Sequence, residues 1–225
     1  MNTKIITIAQ QKGGAGKTTV AAHVAVGLAQ SYKSGNKKVA CIDLDPQASL
    51  STWARVRASK LGENNNLHCI SCNAYALDET IKKLSEAYDF IVIDSPPHIE
   101  IEARQAIRSA DLVLIPVQPS PTDLWATKAS IMLAEQEQVN AKILLNRVSS
   151  NSRLGKSIRS VFEKQAPHML LKSQLGNRVG FAASILDGLT VTETEGNSSL
   201  ANSEVKALVK EVLKCFETAK KTKAA

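Results

Sequence analysis

The stretch Gln11-Lys12-Gly13-Gly14-Ala15-Gly16-Lys17-Thr18-Thr19 determines most of what this sequence predicts. It follows a short β-rich run, residues 4–9, and precedes a helical pattern that begins at Thr19. A glycine-rich turn between a strand and a helix directs successive backbone N–H groups into one concavity, with the positive end of the helix dipole behind it. The glycines let the chain pass close to phosphate oxygens, because no Cβ stands in the way. The stretch therefore predicts a phosphate-binding loop, or P-loop.

Two side chains at the end of this loop supply the chemistry of a nucleotide site. Lys17 is placed to reach the β- and γ-phosphates, and the Thr18 hydroxyl is placed to bind Mg²⁺. The backbone from Gly13 through Ala15 to Thr19 forms the rest of the predicted phosphate cradle. The strand–loop–helix context is the confirmation that such a motif requires.

Two apolar runs that end in carboxylates support this interpretation. Residues 39–43 end at Asp43, followed by Asp45, and residues 90–94 end at Asp94. Apolar strands with a carboxylate at the C-terminal end are where an α/β sheet places its ligand crevice. We therefore interpret Asp94 as the carboxylate that holds the Mg²⁺ shell through water. Asp43 and Asp45 face the same side of an extended segment, and turn formation before the following proline is the alternative explanation for both.

Lys12 makes the loop diagnostic, because an ordinary P-loop has a single lysine. Residues 12–19, Lys-Gly-Gly-Ala-Gly-Lys-Thr-Thr, resemble the deviant Walker A motif of the ParA/MinD superfamily of ATPases. The resemblance implies a homodimer with ATP sandwiched between its subunits, in which Lys12 contacts the nucleotide held by the other subunit, as an arginine finger does elsewhere. The alternative is a solvated loop lysine, which is how we interpret Lys33, Lys37 and Lys38.

The same resemblance assigns roles to the carboxylates. It implies that Asp45 polarises the water that attacks ATP and that Asp43 supports the metal. The predicted catalytic residues are then Lys12, Lys17 and Asp45, and the predicted metal residues are Thr18, Asp43 and Asp94. A carboxylate near a γ-phosphate orients water rather than deprotonating it strongly, so we expect slow hydrolysis.

The resemblance extends beyond the nucleotide motifs. Residues 119–126 look like the segment that opens the helix after the fifth strand in small ParA-type ATPases, and residues 178–191 look like their C-terminal signature. The family also implies that Asn146 lies beside the adenine ring. Asp123 is expected to pair with Lys12 when nucleotide is absent, or to serve only as a helix cap residue.

Strand and helix patterns alternate along the chain. The sequence predicts a P-loop NTPase fold of the α/β class: a doubly wound, mostly parallel sheet with helices on both faces. One domain, residues 1–219, accounts for the pattern, and we expect a disordered basic tail at 220–225. Strands are predicted at 4–9, 39–43, 67–71, 90–94, 112–117 and 142–145, helices at 19–30, 77–87 and 203–218, and surface loops at 33–38 and 63–66.

Composition favours a cytoplasmic globular protein. The chain has 225 residues, of which 44% are hydrophobic, enough for one substantial core without disulfides. We find no apolar run long enough to span a membrane. The P-loop strand occupies the position where a signal peptide needs its apolar stretch, so we do not expect export.

One cysteine pair has metal-like spacing. Cys69 and Cys72 are separated by two residues in a probable strand region, with His68 beside them and His98 further along. The nitrogenase iron protein, a relative within the resembled superfamily, holds an iron–sulfur cluster, but its cysteines lie beyond the Walker B strand. We therefore expect structural thiols, with a zinc or iron site as the alternative.

Charge suggests a nucleic-acid partner. Lys and Arg number 28 against 21 Asp and Glu, a formal net charge of +7, and the basic bias strengthens from Arg147 onward. A basic face doubled by dimerisation would bind DNA without sequence preference and with strong salt dependence. Solvated helix faces are the alternative, and operator-specific repression is not expected, because no helix-turn-helix precedes the P-loop strand. The predicted DNA-binding residues are Arg153, Lys156, Arg159, Lys172 and Arg178.

The final helix tests a membrane-bound alternative. Residues 203–218 carry an apolar stripe from Val205 to Phe216. A MinD-type relative would use a short amphipathic C-terminal helix to bind lipid when dimeric. Because this stripe is long, aliphatic and accompanied by acids, we predict that it packs on the domain core.

Together these patterns predict a ParA-type ATPase that uses ATP and Mg²⁺ and associates with nucleoid DNA. It would position a cargo, either a plasmid or chromosome partition complex or a protein assembly, and release it when a ParB-like or cargo-adaptor protein stimulates hydrolysis. The alternatives are a MinD-like membrane-associated ATPase and an ATP-binding carrier or accessory protein of the same fold.

Overall fold

A computed structural model describes residues 3–31, 37–62, 67–97 and 101–222, with side chains to residue 217. The strands are β1 Lys4–Ile8, β2 Val39–Asp43, β3 Leu67–Ser71, β4 Phe90–Asp94, β5 Leu112–Val117, β6 Ala141–Val148 and β7 Leu170–Gly176. The helices are α1 Lys17–Gln30, α2 Ser49–Leu61, α3 Ala74–Ser85, α4 Ile101–Arg108, α5 Pro121–Gln136, α6 Arg153–Gln165, α7 Val179–Leu186, α8 Val191–Thr194 and α9 Leu200–Thr222.

Within these residues the strands form one sheet in the order β3-β2-β4-β1-β5-β6-β7. Every strand pair is parallel, so the predicted doubly wound fold is confirmed. One face carries a core cluster built with α1, α2, α7, α8 and α9, and the other carries two clusters built with α3 to α6. Strand β1 lies between β4 and β5, and the order in which the chain adds strands to the sheet changes direction around it. Ligands bind at such a topological switch point in α/β sheets.

The predicted strands are all present, and one further strand was missed. No strand was predicted after β6, whereas β7 extends the sheet at its edge. Its sequence, Leu-Leu-Lys-Ser-Gln-Leu-Gly, is neither a continuous apolar run nor a clean alternation. An edge strand is buried on fewer sides than a central one, which explains the weak pattern.

Helix α1 is buried more completely than its sequence suggested. The pattern of Val20, Val24 and Leu28 predicts one apolar face, but all residues from Val20 to Leu28 are buried. The helix packs between the sheet and helices α7 to α9, which cover its outer side. It also begins at Lys17, two residues before the predicted start, because the turn that holds the P-loop runs directly into the helix.

Helix α9 packs on the core, as predicted. Val205, Leu208 and Val212 are fully buried, so this apolar stripe is not a free lipid-binding face. Two acids on the helix also bind the edge strand: Glu211 accepts the N–H groups of Lys172 and Ser173, and Glu204 accepts that of Gly176. These bonds satisfy backbone donors of β7 that have no further strand beside them.

The predicted boundary of the basic tail differs from the structure. Helix α9 continues to Thr222, so residues 220–222 belong to the helix, and residues 223–225 lie outside the described part of the chain. Alanine and lysine are strong helix formers, which explains why the helix runs past the last buried position. Across the described helices, none is both long and apolar enough to cross a membrane.

One predicted surface lysine is paired. Lys37 Nζ lies 2.6 Å from Asp89, whose carboxylate also accepts the backbone N–H of Lys38. The prediction of a solvated side chain was therefore wrong for Lys37, because Asp89 lies at the turn before β4, next to the start of β2. Lys33 and the predicted loop at 63–66 lie outside the described residues.

Cys69 and Cys72 lie on opposite faces of the sheet. Cys69 packs with the α1 side and pairs in register with Cys41, whereas Cys72 packs with Ile81 and the α3 side. His68 stacks on Tyr88 at 6.0 Å, and His98 lies outside the described residues. In the described part of the chain no three His, Cys, Asp or Glu side chains are grouped as metal ligands would be. The positions of these thiols favour the structural interpretation.

Candidate nucleotide site

The sheet brings the predicted acids to the P-loop. In the register of the strands, Asp94 at the end of β4 lies opposite Asp43 at the end of β2 on one side and Ile8 at the end of β1 on the other. The P-loop starts just after β1, so both carboxylates lie at the same edge of the sheet as the loop. Residues far apart in sequence therefore meet because the carboxyl ends of parallel strands are aligned.

The P-loop itself is built on glycine conformations. Gly14 and Gly16 have φ of 78° and 90°, values that favour glycine. At Gly16 a Cβ would lie 2.5 Å from the Asn146 amide nitrogen, so space as well as backbone conformation requires glycine there. Gly16 is also the N-cap of α1, and no side chain caps that helix. The first amides of α1 are thus available to an anion.

Asp94, Thr18 and Lys17 form the centre of the site. The Thr18 hydroxyl donates to Asp94 Oδ2 at 2.6 Å, and the carboxylate is 1% exposed. The pKa of Asp94 is raised to about 7, chiefly by burial; Asp43 and Asp45 contribute to this rise, while the Thr18 hydrogen bond and Lys17 oppose it. Burial likewise lowers the pKa of Lys17, against the opposing effect of Asp94 and Asp45.

This centre fits a magnesium ion and a triphosphate. Asp94 Oδ1 is buried and has no hydrogen-bond partner in the described part of the chain. A buried carboxylate oxygen without a partner is costly, and a hydrated cation satisfies it. A hydroxyl and a carboxylate oxygen are ligands of the type that Mg²⁺ prefers. Thr18 and Asp94 would hold the ion, and Lys17 would lie against the phosphates.

Asp43 and Asp45 take up different environments. Both oxygens of Asp43 accept backbone N–H groups, one from Asp45 at 3.1 Å and one from Ser51 at 2.8 Å. Asp43 thus fixes the turn that carries Asp45 and the start of α2. Asp45 is half-buried and accepts the N–H of Gln47 at 2.9 Å, so part of the turn-forming alternative is also realised. Asp43 can therefore support the site by holding the backbone of Asp45 and Ser51 in place. The water-polarising role of Asp45 stays a prediction.

Lys12 lies beside the loop and away from the Thr18–Asp94 pair. Its ammonium contacts the carboxylate of Asp123 and the hydroxyl of Thr122 at 2.9 Å, both at the start of α5. The predicted pairing with Asp123 is confirmed. The cap of α5 is Ser120, whose hydroxyl accepts the Asp123 N–H at 3.1 Å, so Asp123 is not the capping residue itself. The contact with Thr122 was not predicted, although a Pro-Thr-Asp sequence is typical of a helix start, where such side chains are available.

Asn146, in β6, supports the P-loop. Its Nδ2 donates to the Ala15 carbonyl at 2.9 Å, and its Oδ1 accepts the N–H of Arg147 at 2.9 Å. The residue is buried at the end of β6. Adenine recognition by Asn146 stays a prediction, and the structure adds a contact with the loop that the sequence did not reveal.

The C-terminal signature and the short helix α8 at its end hold α2, the helix that follows Asp45. The buried Arg57 binds Glu193 through two bonds, of 2.9 Å and 2.7 Å, and Trp53 donates to the Leu189 carbonyl at 3.2 Å. A Cβ on Gly188 would lie 2.4 Å from the Arg57 backbone nitrogen. Nothing in the sequence around Arg57 signals this pairing, because its partner is distant along the chain.

The predicted DNA-binding residues are not equivalent. Arg153, Lys156 and Lys172 are exposed. Arg159 donates to the Gln174 side chain at 3.0 Å, and the Arg178 guanidinium pairs with Glu204 at 2.6 Å. The charge of Arg178 is thus already offset within the fold, because α9 supplies an acid beside it.

The nucleotide loop and its carboxylates lie within a segment that matches a known protein family. A family model described as the CobQ/CobB/MinD/ParA nucleotide binding domain matches residues 6–201. The chain belongs to this family. The match includes the P-loop, both carboxylate-bearing strands and the signature segment, so this CobQ/CobB/MinD/ParA domain spans nearly all of the sheet.

Individual relatives resemble the chain along nearly its whole length. The "Maintenance of carboxysome distribution protein A" of Halothiobacillus neapolitanus is 25% identical over 214 residues, 92% of this chain and 95% of that protein. An ATP complex of a Cyanothece McdA variant has a TM-score of 0.78 at 19% identity, covering 96% of this chain and 97% of that one. MinD of Pyrococcus horikoshii with Mg-ADP has a TM-score of 0.77 at 23% identity, covering 93% and 96%. These two structures establish the shared fold.

Proposed function

We propose that this protein is an ATPase that dimerises around two ATP molecules, binds DNA without sequence preference and positions a cargo on it. The observation that carries the proposal is the location of Lys12. Its side chain is 36% exposed and its ammonium is bound to α5, while Lys17 and Thr18 are directed to Asp94 in the phosphate site. A lysine at the edge of its own pocket suits a phosphate that a second subunit presents.

Hydrolysis would use the residues at the carboxyl edge of the sheet. Lys17 and the uncapped amides of α1 bind the phosphates and offset their charge. Asp45, on the turn that Asp43 fixes, orients the attacking water. When bound, Mg²⁺ supplies positive charge that offsets the charge developing on the transferred phosphate. Because none of these groups is a strong base, we expect slow turnover until a partner protein stimulates it.

Binding to DNA would use the exposed basic side chains near α6. Arg153, Lys156 and Lys172 contribute positive charge, and dimerisation doubles the number available. A protein that binds several phosphates displaces counterions, so its affinity falls steeply with salt. ATP would control DNA binding by controlling dimerisation, because a ligand that favours one state shifts the equilibrium toward it.

The names of the relatives support the proposed cargo. One resembled protein is named for carboxysome distribution, and others are named as ParA proteins. We therefore infer that this chain positions either a protein assembly of the microcompartment type or a plasmid or chromosome partition complex. The buried stripe of α9 supports DNA rather than lipid as the surface, and the opposed Cys69 and Cys72 give no support to a metal carrier.

The test measures assembly and DNA binding together. Sedimentation should show a monomer with ADP and a dimer with a non-hydrolysable ATP analogue. Only the dimer should retard two unrelated DNA duplexes equally, with affinity falling as salt rises. Substituting Arg153 and Lys156 together by Gln removes four positive charges from each dimer and should reduce the salt dependence by up to about four phosphate contacts. The matched variant Arg178→Gln should change it little. A monomer with both nucleotides, or binding to one duplex only, would contradict the proposal.

A further inference from the structure

The outer side of the P-loop is held by three neighbouring side chains. A phosphate cradle needs its N–H groups directed inward, so its carbonyl groups face outward and need donors of their own. Two consecutive carbonyls of the loop receive such donors. Gly14 O accepts from Gln118 Nε2 at 2.5 Å and from Arg147 Nη1 at 3.3 Å, and Ala15 O accepts from Asn146.

These donors come from one side of the loop. Gln118 follows β5, and Asn146 and Arg147 lie near the end of β6. Thr18 instead contacts Asp94 at the end of β4, on the other side of β1. The Gly14 carbonyl is therefore directed away from the predicted metal site, toward the β5 and β6 edge.

Arg147 reaches the loop through an unusual backbone conformation. Its φ is 53°, in the left-handed region that non-glycine residues other than Asn and Asp rarely adopt. Such conformations persist where the surrounding structure holds them, and they concentrate at functional sites. Here the Asn146 side chain accepts the Arg147 N–H at 2.9 Å, so the same residue that binds Ala15 also fixes the turn.

We propose that Arg147 is a positioning residue of the nucleotide site: it holds the Gly14 carbonyl outward and adds a positive charge beside the phosphates. The sequence placed Arg147 at the start of the basic DNA-facing region, whereas the structure places its guanidinium on the P-loop. Gln118 donates to the same Gly14 carbonyl and holds it in the same outward direction. The inference rests on nucleotide binding by this loop and is independent of dimerisation.

The positive φ of Arg147 allows a test that distinguishes an effect on nucleotide binding from an effect on the stability of the fold. Arg147→Gly removes the guanidinium but accepts a positive φ without strain, so the nucleotide-free protein should unfold at the same temperature or higher. Its affinity for a fluorescent ADP analogue should nevertheless fall about 3- to 10-fold, the loss expected for one hydrogen bond. The same fall should occur with an ATP analogue. Arg147→Lys keeps the charge and should recover part of the loss.

The matched control is Arg108→Gln, which removes an exposed positive charge at the far end of α4. It should leave ADP affinity unchanged. The proposal is overturned if Arg147→Gly binds ADP as tightly as the unmodified chain, or if Arg108→Gln weakens binding equally. It is also overturned if the weaker binding of Arg147→Gly comes with a lower unfolding temperature, because the arginine would then serve only the fold. Since ADP binding is read in the monomer, a failure here is distinct from a failure of the dimer proposal.

Discussion

Lys12 and Asp123 form an ion pair at the mouth of the P-loop, in which the carboxylate is 1% exposed and the lysine 36% exposed. The Ser120 hydroxyl and the Gln118 N–H also donate to Asp123, so the acid stays hydrogen-bonded if the lysine leaves. The Asp123 carboxylate therefore competes for Lys12 with any phosphate that a second subunit brings to it. An exposed lysine is the partner that can move, since its charge remains solvated.

The first prediction concerns this competition. Asp123→Asn keeps an oxygen acceptor for the Gln118 N–H but removes the charge that holds Lys12. We expect the ATP-dependent dimer to form about 3- to 10-fold more tightly, the range of one charge-assisted hydrogen bond at a partly exposed site. Analytical ultracentrifugation with a non-hydrolysable ATP analogue measures the dissociation constant. A weaker dimer in this variant would show that Asp123 supports the interface instead of competing with it.

The second prediction concerns the trans role of Lys12. Lys12→Ala should abolish ATP-dependent dimerisation and lower hydrolysis by about 10²–10³-fold, the usual effect of removing one donor to a developing charge. ADP binding should persist, because Lys17 and the loop amides remain. Lys128→Ala, which removes an exposed lysine further along α5, is the control and should behave like the unmodified chain. Normal dimerisation and hydrolysis in Lys12→Ala would remove the main support for the proposed function.

The third prediction concerns the metal. Asp94→Asn keeps an acceptor for the Thr18 hydroxyl but removes the negative charge. We expect the enhancement of nucleotide affinity by Mg²⁺ to fall about 10- to 100-fold, as when a partner of a metal site is lost. Nucleotide titrations with and without Mg²⁺ measure this, and binding without the metal serves as the internal control. An unchanged Mg²⁺ effect would exclude Asp94 from the metal shell.

The fourth prediction concerns pH and His23. Burial lowers the pKa of His23 to about 4, while the Thr19 carbonyl at 2.8 Å and Glu193 oppose the shift. The imidazole is thus neutral in the fold, but in the unfolded chain it takes up a proton below its usual pKa near 6.5. The contribution of neutral His23 to the free energy of unfolding is therefore fully present above pH 6.5. It is lost as the pH falls toward 4, and the total loss is about 3 kcal/mol.

Denaturant unfolding between neutral pH and about pH 4 tests this expectation. His23→Gln should have the weaker pH dependence, although it is less stable at neutral pH because Val191 N–H loses the Nε2 acceptor at 3.2 Å. His168→Gln, a change at an exposed residue, should keep the pH dependence of the unmodified chain. Equal slopes for His23→Gln and the unmodified chain would rule out the role of His23.

The fifth prediction separates backbone strain from close contact at two glycines. Gly188 has φ of 69° and Gly62 has φ of 78°, but only at Gly188 would a Cβ meet the α2 backbone, 2.4 Å from Arg57 N. Gly62→Ala should reduce the free energy of unfolding by about 1–3 kcal/mol, from backbone strain alone, because φ of 78° with ψ of 170° is a combination that glycine adopts and other residues avoid. Gly188→Ala should reduce it by about 1–3 kcal/mol more than Gly62→Ala does, because the C-terminal segment must also move away from α2. Equal losses in thermal denaturation would mean that the contact relaxes freely.

The nucleotide loop and most of the sheet were predictable because they depend on local chemistry. Three glycines before Lys17, a β-rich run before them and a helical pattern after them specify one backbone arrangement. The central strands β2, β4 and β5 matched their predicted bounds, since a buried parallel strand is a continuous apolar run. The edge strand β3 matched its bounds as well. Strand β7 was missed because an edge strand is only partly buried, and its pattern mixes with that of a loop.

By itself, the sequence determined the phosphate loop, the carboxylates that follow the apolar strands and the doubly wound fold, because each arises from residues adjacent in the chain. Only the tertiary structure decided which side chains meet. It paired Lys12 with Asp123, Arg57 with Glu193 and Arg147 with the Gly14 carbonyl. Such contacts join residues more than 100 positions apart, and their partners are fixed by strand order and helix packing, which leave no periodic trace in the sequence.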